Sequence, residues 1–480
     1  MCARRHTCGV VAVALLMLLG TGCATAKQSW RAGPLGIPAE RSLRQQMDAG
    51  LFDAAWAALK TRQIAPADAL LRHMYKGVVA LHAGEFETGA SAMDRAWTLA
   101  QDRWTKRISH AALSMVTSDA ALPYYPGPAE RMFIPYYGGL AWLARNERAS
   151  AAVEARRLST LLASDQGPQP SRQFRGVLRY VAGVMYEIAG ERNDADVSYR
   201  NAAQLLGGAL PGDTIPPDAL HGDVVVLIED GFVGRPEPQA YTYWYDDDEL
   251  ALLSSEEETR RYATVSILQH RRDDSRYDDR HWRDRNYRSV MLSWPGFDDS
   301  RRGTLALGAR AVTGYEAGTV STDVTSAVRA DFERQQPMRL ARAIARAAVR
   351  NAAMAAAGKS FENATKGDDK DDANDGKKKD KDGVKWGSIL LGIGLFTVSA
   401  TSAVLDQPDL RAWQLLPDRV TVARMRLPVG DHVIEVTRGG EAVSRGTVSV
   451  QPGSVTLLTH RWFTPARQTV AAEAVTPVPF

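Results

Sequence analysis

Two stretches near the N-terminus share one sequence step and lie a fixed interval apart. In "DAGLFDAAWAALK" and "HAGEFETGASAMDRAWTLA" a Gly-x-Phe step precedes small residues at helical spacing, and 34 residues separate Gly50 from Gly84. Two further copies place Asn146 and Gly190 at the corresponding position. Gly and Asn best tolerate the left-handed conformation in which many helices end. The pattern predicts stacked helical hairpins over residues 40–210, since one hairpin cannot bury its apolar face alone.

Small residues flank each of these turns at constant distances. They stand seven positions before a turn at Gly77, Gly139 and Gly183, and five positions after a turn at Ala55, Gly89, Ala151 and Ala195. Small side chains at these positions let the two helices of a hairpin approach closely. Because a 34-residue interval is the length of a tetratricopeptide (TPR) unit, we expect an α-helical, TPR-like solenoid.

An insertion rich in proline and aromatic residues interrupts the repeat spacing. Within "SDAALPYYPGPAERMFIPYYGGLAWLA" four prolines predict a structured loop between two helices. The favoured interpretation is that its tyrosines seal the gap between non-adjacent hairpins. The alternative is that exposed aromatic side chains bind a partner at low entropic cost. The candidate partner-binding residues are Tyr124, Tyr125, Tyr136, Tyr137 and Trp142.

The periodicity changes after residue 210. Residues 211–322 and 406–463 contain short runs rich in β-branched residues and bounded by Gly, Pro or Asp, which is typical of strands. One of them, "LPVGDHVIEV", predicts a hairpin with its turn at residues 428–431. The chain is therefore predicted to be an α+β multidomain protein, in which a mixed β-sheet or sandwich domain follows the helical repeats.

Three different segments separate the two groups of predicted strands. Residues 323–363 predict a long, Ala-rich amphipathic helix, and residues 364–385 are a low-complexity charged run that predicts a disordered linker. Residues 386–405 are uncharged and apolar over 20 positions, which is just enough to span a bilayer. We favour a buried helix that covers one face of the sheet, and the membrane span stays open. Residues 464–480 form a tail.

The first 22 residues have the layout of a secretory signal peptide, with a positive start, a short apolar run and small residues before Cys23. Because Cys2 and Cys8 lie inside this removable segment, Cys23 is the one cysteine expected in the mature chain. The stretch "LGTGC" resembles the lipobox of bacterial lipoproteins. This resemblance implies that Cys23 carries acyl chains such as palmitate and that residues 23–39 form a tether. The Ala24 that follows implies sorting to the outer membrane.

Composition and motifs narrow the possible chemistry. A formal net charge of +3 with 24% charged residues lacks the basic footprint of a nucleic-acid-binding protein. The sequence contains no nucleophile elbow, phosphate-binding glycine loop or paired-histidine metal motif. Hence we predict no catalytic residue, metal ligand or cofactor.

The segments "SDAALPYY", "VEARRL", "VVVLIEDGF", "LARAIARAAVRNAA" and "RAWQLLPDRVTVARMRLPVGDHVIEV" resemble a family of uncharacterised bacterial outer-membrane lipoproteins with an N-terminal TPR-like region. The resemblance runs from about residue 40 to about residue 460. It implies a lipid-anchored protein facing the periplasm. The expected function is a cell-envelope scaffold that binds a protein partner through its repeats in cell-wall or envelope assembly. The alternative is a carbohydrate-binding or hydrolytic activity in the β-rich domain.

The lipid anchor makes a direct prediction. Substitution Cys23→Ala removes the acylation site, so we expect the protein to leave the membrane fraction when cells are fractionated and probed by immunoblotting. Two or three acyl chains anchor a protein stably because each buried CH₂ contributes about 0.8 kcal/mol. Continued membrane retention of the variant would instead support residues 386–405 as a membrane span.

Overall fold

A computed structural model gives the structure of the protein. It describes residues 37–62, 66–106, 123–164, 169–245, 288–298, 305–336, 339, 409–462, 473–474 and 476–477. The predicted signal peptide, Cys23, the charged run 364–385 and the apolar segment 386–405 lie outside these residues. The predicted helix 323–363 is described from residue 324 to residue 336 and at residue 339.

Helices fill the first half of the described chain and follow one another as antiparallel pairs. Their bounds are α1 Ile37–Asp48, α2 Phe52–Lys60, α3 Ala69–His82, α4 Phe86–Lys106, α5 Pro128–Ala144, α6 Arg148–Ala163, α7 Arg172–Ala189 and α8 Arg192–Leu205, with a 3₁₀ turn at Pro66–Asp68 before α3. A further helix, α9, covers residues 324–336. The repeats thus form four hairpins, α1–α2, α3–α4, α5–α6 and α7–α8.

The four turns adopt the conformation that their residue types favour. Gly50, Gly84, Asn146 and Gly190 have φ angles of 69°, 75°, 58° and 82°. This left-handed region costs a residue with a β-carbon roughly 1–2 kcal/mol. The cost is lower for Asn, because its side chain can form local hydrogen bonds. The chain can therefore reverse sharply at each position.

The strands form two larger sheets and one ribbon. The bounds are β1 His221–Asp230, β2 Arg235–Tyr245, β3 Arg288–Asp298, β4 Leu307–Ala311, β5 Gly318–Asp323, β6 Arg419–Pro428, β7 Gly430–Arg438, β8 Glu441–Val450, β9 Val455–Trp462, β10 Glu473–Ala474 and β11 Thr476–Pro477. The central sheet has the order β11-β9-β1-β6-β5, and the outer sheet has the order β10-β8-β7-β4. Strands β2 and β3 pair as an antiparallel ribbon.

Both faces of the central sheet are buried. Side chains alternate along a strand, so Val225 and Leu227 of β1 join the core that the sheet shares with the helices. Val224 and Val226 point the other way, into a second core between the central and outer sheets. The helices, the central sheet and the outer sheet are consequently three stacked layers, and a mixture of helices and sheets confirms the predicted α+β class.

Two local predictions are wrong. The predicted hairpin around residues 428–431 does not form, because β6 pairs with β1 and β5 while β7 pairs with β4 and β8. The connection instead carries the chain from one sheet to the other. The hairpin is formed by β7 and β8, which meet at Gly439 and Gly440. In the proline-rich insertion, residues from Pro128 onward belong to α5, which continues through Pro135.

Candidate functional site

Arg424 of β6 lies at the centre of a buried ionic cluster between the central sheet and the last helical hairpin. Its Nη2 donates to Asp223 Oδ2 of β1 at 2.6 Å, and its Nη1 donates to Glu187 Oε2 of α7 at 2.9 Å. The hydroxyl groups of Tyr180 and Tyr199 lie 3.4 and 3.2 Å from Nη1. Because a buried charge is costly unless it is paired, this cluster fixes α7 and α8 against the sheet.

A second cluster joins α5 to strands β1 and β9. The Tyr137 hydroxyl donates to Glu229 Oε2 at 2.9 Å, and Arg461 Nη1 lies 3.1 Å from the same oxygen. Burial raises the pKa of Tyr137 well above its ordinary value, so the hydroxyl keeps its proton and remains a donor. The cluster therefore holds the middle of α5 on the central sheet.

A third cluster joins the helices to the segment that precedes β6. Arg411 pairs with Asp68 and with Asp409, each at 2.8 Å. Glu130 of α5 accepts a hydrogen bond from the Trp413 backbone N–H at 2.8 Å. This segment is thereby tied to the starts of α3 and α5.

The three clusters share one geometric consequence. Helices α3, α5 and α7 are the first helices of successive hairpins, and each contacts the β part of the chain. In α3 the contact is made by Tyr75, whose hydroxyl donates to Ala412 O at 3.2 Å. The face of the repeats formed by these three helices is thus covered by the protein itself.

The predicted partner-binding aromatics lie mostly on this covered face. Tyr124, Tyr136 and Tyr137 are 5%, 0% and 1% exposed. Tyr124 donates to Glu130 Oε2 at 2.6 Å, and Tyr137 belongs to the second cluster. Tyr125 and Trp142 are partly exposed. The alternative prediction, an exposed recognition surface, is therefore wrong for the three buried tyrosines. Their rings belong to the core that the helices share with the central sheet.

The small residues predicted beside the turns lie where neighbouring helices approach. A β-carbon added at Gly77 would lie 2.3 Å from Met93 Cε, and one added at Gly139 would lie 2.6 Å from Met185 Sδ. At Gly183 the corresponding atom is Tyr199 Cε1, at 2.6 Å. A β-carbon at Gly89 would lie 3.3 Å from the backbone oxygen of Gly77, and Ala55, Ala151 and Ala195 are fully buried.

Two buried carboxyl groups meet at the start of α5. Asp331 of α9 accepts a hydrogen bond from the Ala129 backbone N–H at 2.7 Å, and Glu130 lies beside it. Burial raises the pKa of Asp331 to about 7 and also raises the pKa of Glu130. The space next to them measures about 30 Å³, which holds only one or two water molecules.

The larger surface feature is a groove that we call the edge cleft, with a volume of about 730 Å³. One wall consists of the turn ends of two hairpins and contains Arg148, Gly190 and Arg192. The other wall consists of residues 447–449 of β8 and residues 455–456 of β9. The cleft thus lies between the helical layer and one edge of the stacked sheets.

Strand edges border this cleft. On the side away from β7, strand β8 pairs with β10 only at Ser444 and Arg445, and β9 pairs on its outer side with β11 only at Leu458 and Thr459. In the part of the chain that the structure describes, residues 446–450 and 455–457 have no strand on that side. Within the described residues, no strand pairing occupies their outward backbone groups.

Groups of metal-binding side chains and membrane-spanning helices are both absent from the described residues. These residues contain no group of three or more His, Cys, Asp and Glu side chains that could hold a metal ion. None of the helices described is long and apolar enough to cross a membrane. The ionic clusters were not predicted, although acidic residues at both ends of "DVVVLIED" and the two arginines within "VTVARMRL" mark two of the strands that carry them.

We expect Arg424→Met to lower the free energy of unfolding by about 3–5 kcal/mol, because Asp223 and Glu187 lose their main buried partner. Arg426→Met is the matched control: it removes a second arginine from the same strand that also pairs with Asp223, at 2.8 Å. Its side chain is 30% exposed, against 1% for Arg424. The control should cost about 1 kcal/mol. Urea denaturation at pH 7 measures both, and equal losses would contradict the central role of Arg424.

Glu154 of α6 predicts a pH dependence of stability. Burial against Gly138 raises its pKa from 4.5 to about 7, despite an ion pair with Arg157 at 2.7 Å. Because the pKa is higher in the folded chain, the stabilisation present below pH 4.5 is lost as the pH rises through 7. The wild-type protein should therefore lose on the order of 2–3 kcal/mol of its free energy of unfolding between pH 5 and pH 8, and Glu154→Gln should abolish this loss.

Urea denaturation at the two pH values tests this, with the exposed Glu147→Gln on the same helical hairpin as control. The prediction fails when Glu154→Gln and wild type lose the same stability between pH 5 and pH 8.

No protein-family profile and no curated protein matches this chain. Among solved structures, "MamA MSR-1 C2" is similar at 14% sequence identity over 36% of this chain and 98% of that chain, with a TM-score of 0.16. At this TM-score the similarity carries no argument about fold or function.

Proposed function

We propose that the protein is a lipid-anchored scaffold of the cell envelope that binds an extended segment of a protein partner in the edge cleft. The acylated Cys23 holds it at the outer membrane, facing the periplasm. The observation that carries the proposal is the groove of about 730 Å³ whose wall contains edges of β8 and β9 on which no strand pairs among the described residues.

The helical part of the scaffold is TPR-like in this proposal. Its support is the 34-residue spacing of Gly50 and Gly84, the left-handed turns and the close helix contact at Gly77. The repeats contribute to binding through their turns, since the first helices of three hairpins are covered by the sheet or by the segment before β6. Arg148 and Arg192 then form the helical wall of the partner site.

The chemistry of the opposite wall fits an extended peptide. Thr447 and Ser449 of β8 are exposed while the alternating Val448 and Val450 are buried, so the strand keeps its apolar residues inside. A peptide that adds to a sheet edge gains main-chain hydrogen bonds and places alternate side chains in pockets. Five residues of β8, 446–450, span about 16 Å in this geometry.

A hydrolytic or carbohydrate-binding role is less well supported. It needs a cavity that admits a sugar ring next to acidic groups. Glu130 and Asp331 adjoin a cavity of only about 30 Å³, and their carboxylate oxygens accept hydrogen bonds from within the protein. The wide groove instead brings together backbone edges and exposed hydroxyl groups.

Site-specific photocrosslinking in cells tests the proposed function. A photoreactive amino acid at Thr447 or Thr456 should give crosslinks to an envelope protein, identified by mass spectrometry. The same replacement at Thr160, an exposed threonine on α6, is the matched control and should give none. Thr456→Arg fills the cleft and should reduce the crosslink from position 447 to the level of that control. Recovery of glycan fragments without a protein would contradict the scaffold and favour the carbohydrate role.

A further inference from the structure

The hydrogen bonds of the outer sheet determine which backbone groups of β8 point away from β7. The Val312 N–H donates to Val433 O at 2.9 Å, so Val433 turns its backbone groups toward the β4 side. Successive residues of an antiparallel strand turn these groups to opposite sides in alternation. The neighbours of Val433 therefore bond β8, where Val448 faces β7 and the alternating Thr447 and Ser449 face outward. Both of these outward-facing residues line the edge cleft.

The helical wall of the cleft contains two arginines at equivalent positions. Arg148 is the first residue of α6, and Arg192 is the first residue of α8. A cation at the N-terminus of a helix is disfavoured, because the positive end of the helix dipole lies there. For Arg192 two carboxylates offset this cost: Nη1 lies 2.5 Å from Glu187 Oε1, and Nε lies 3.1 Å from Asp196 Oδ1.

Arg148 has no comparable partner in the part of the chain that the structure describes. Its side chain is exposed, and its Nε donates to the side-chain oxygen of Asn146 at 3.3 Å, but it forms no ion pair with a described carboxylate. Glu187 is the one acidic residue among the described lining residues, and Arg192 and Arg424 already pair with its carboxylate. Within the described residues, the positive charge of Arg148 is therefore not neutralised.

We propose that the edge cleft selects an extended segment that carries a carboxylate. The segment pairs its backbone with Thr447 and Ser449, and its carboxylate pairs with the guanidinium group of Arg148. An acidic side chain and a free C-terminal carboxylate share this chemistry. The inference rests on the proposed function, because it names the kind of partner segment that the same cleft binds.

The two contacts divide affinity from specificity. Main-chain hydrogen bonds to a strand edge depend little on sequence, since every residue except proline supplies the same donor and acceptor. The planar guanidinium group, by contrast, can bind both oxygens of a carboxylate at once. The opposite wall, which includes residues 447–449 and 453–456, contains no acidic residue at these positions to repel the carboxylate. A lysine or arginine of the segment would instead meet the like charge of Arg148.

A carboxylate scan of a synthetic peptide tests the inference. The parent is a fluorescent heptapeptide of alternating threonine and valine with an amidated C-terminus, and Glu or Gln replaces each position in turn. One further peptide has the parent sequence and a free C-terminal carboxylate. Fluorescence anisotropy with the full chain should show that one of the charged peptides binds about tenfold more tightly than its uncharged counterpart. A preference for Glu identifies an acidic side chain as the source, and a preference for the free acid identifies a C-terminus.

Variants of the full chain assign this preference to Arg148. Arg148→Gln should abolish the preference, and Arg148→Lys should keep part of it because the charge remains. Arg200→Gln is the matched control, since Arg200 is exposed on α8 and is not among the residues that line the cleft. This control should keep the full preference.

Methylation of the peptide nitrogens tests the backbone contact. Methyl groups on one alternate set of amides should weaken binding about tenfold, because they block hydrogen bonds to Thr447 and Ser449. Methyl groups on the other set should have little effect, since those amides face away from β8. Equal effects of the two sets would contradict strand pairing.

Equal binding of every charged and uncharged pair, no binding of any peptide, or a preference that survives Arg148→Gln overturns the inference. The two proposals fail separately. A crosslinked partner whose yield from position 447 is unchanged by Arg148→Gln refutes the carboxylate inference alone. A carboxylate preference in the peptide scan without any crosslinked partner in cells refutes the scaffold alone.

Discussion

One guanidinium group, that of Arg424, holds the helical layer and the sheet in register. It bonds Asp223 of β1 on one side and Glu187 of α7 on the other, within a layer whose buried side chains are mostly apolar. Sliding α7 by a single turn would move Glu187 about 5.4 Å away. Arg424 would keep its bond to Asp223 but lose the ion pair with Glu187, and the loss of a buried ionic partner costs several kcal/mol. The ionic pairs therefore select one arrangement of layers that apolar contacts alone would leave under-determined.

This arrangement decides which surfaces remain for binding. Repeat proteins of the helical type commonly use an extended concave surface. Here α5 and α7 pack on the central sheet, α3 contacts the segment before β6, and Tyr137 of α5 is 1% exposed. The surfaces that remain for a partner of the proposed scaffold are the second helices of the hairpins, the hairpin turns and the strand edges. The edge cleft combines two of these, since Gly190 lies on one wall and Thr447 on the other.

The sequence predicts local features well because local chemistry determines them. The turns at Gly84 and Asn146 need a left-handed residue, and that requirement is visible within a few positions of the chain. The burial of Tyr137 depends on Glu229 and Arg461, which are 92 and 324 residues away. No local pattern reveals such a neighbour. The sequence therefore favours a core role for the aromatic residues but leaves an exposed surface open as the alternative.

The strands show the same contrast: local sequence indicates where a strand lies, but not which strand it pairs with. Alternation in "LPVGDHVIEV" correctly marks strands but does not say which sheet each one joins, so the predicted hairpin was wrong. The true hairpin turn has a stronger local signal, the dipeptide Gly439-Gly440, with φ angles of 62° and 87°. Such positive angles at both central residues match the twist of paired strands.

The helical wall beside the strand edges limits what can pair there. An uncovered edge normally invites another sheet, which leads to aggregation. At the edge cleft, the turn ends that carry Arg148 and Arg192 stand opposite residues 447–449 and 455–456. A segment that pairs with these edges must therefore lie between them and the helical turns. This arrangement is suited to the single extended segment that the proposed scaffold binds.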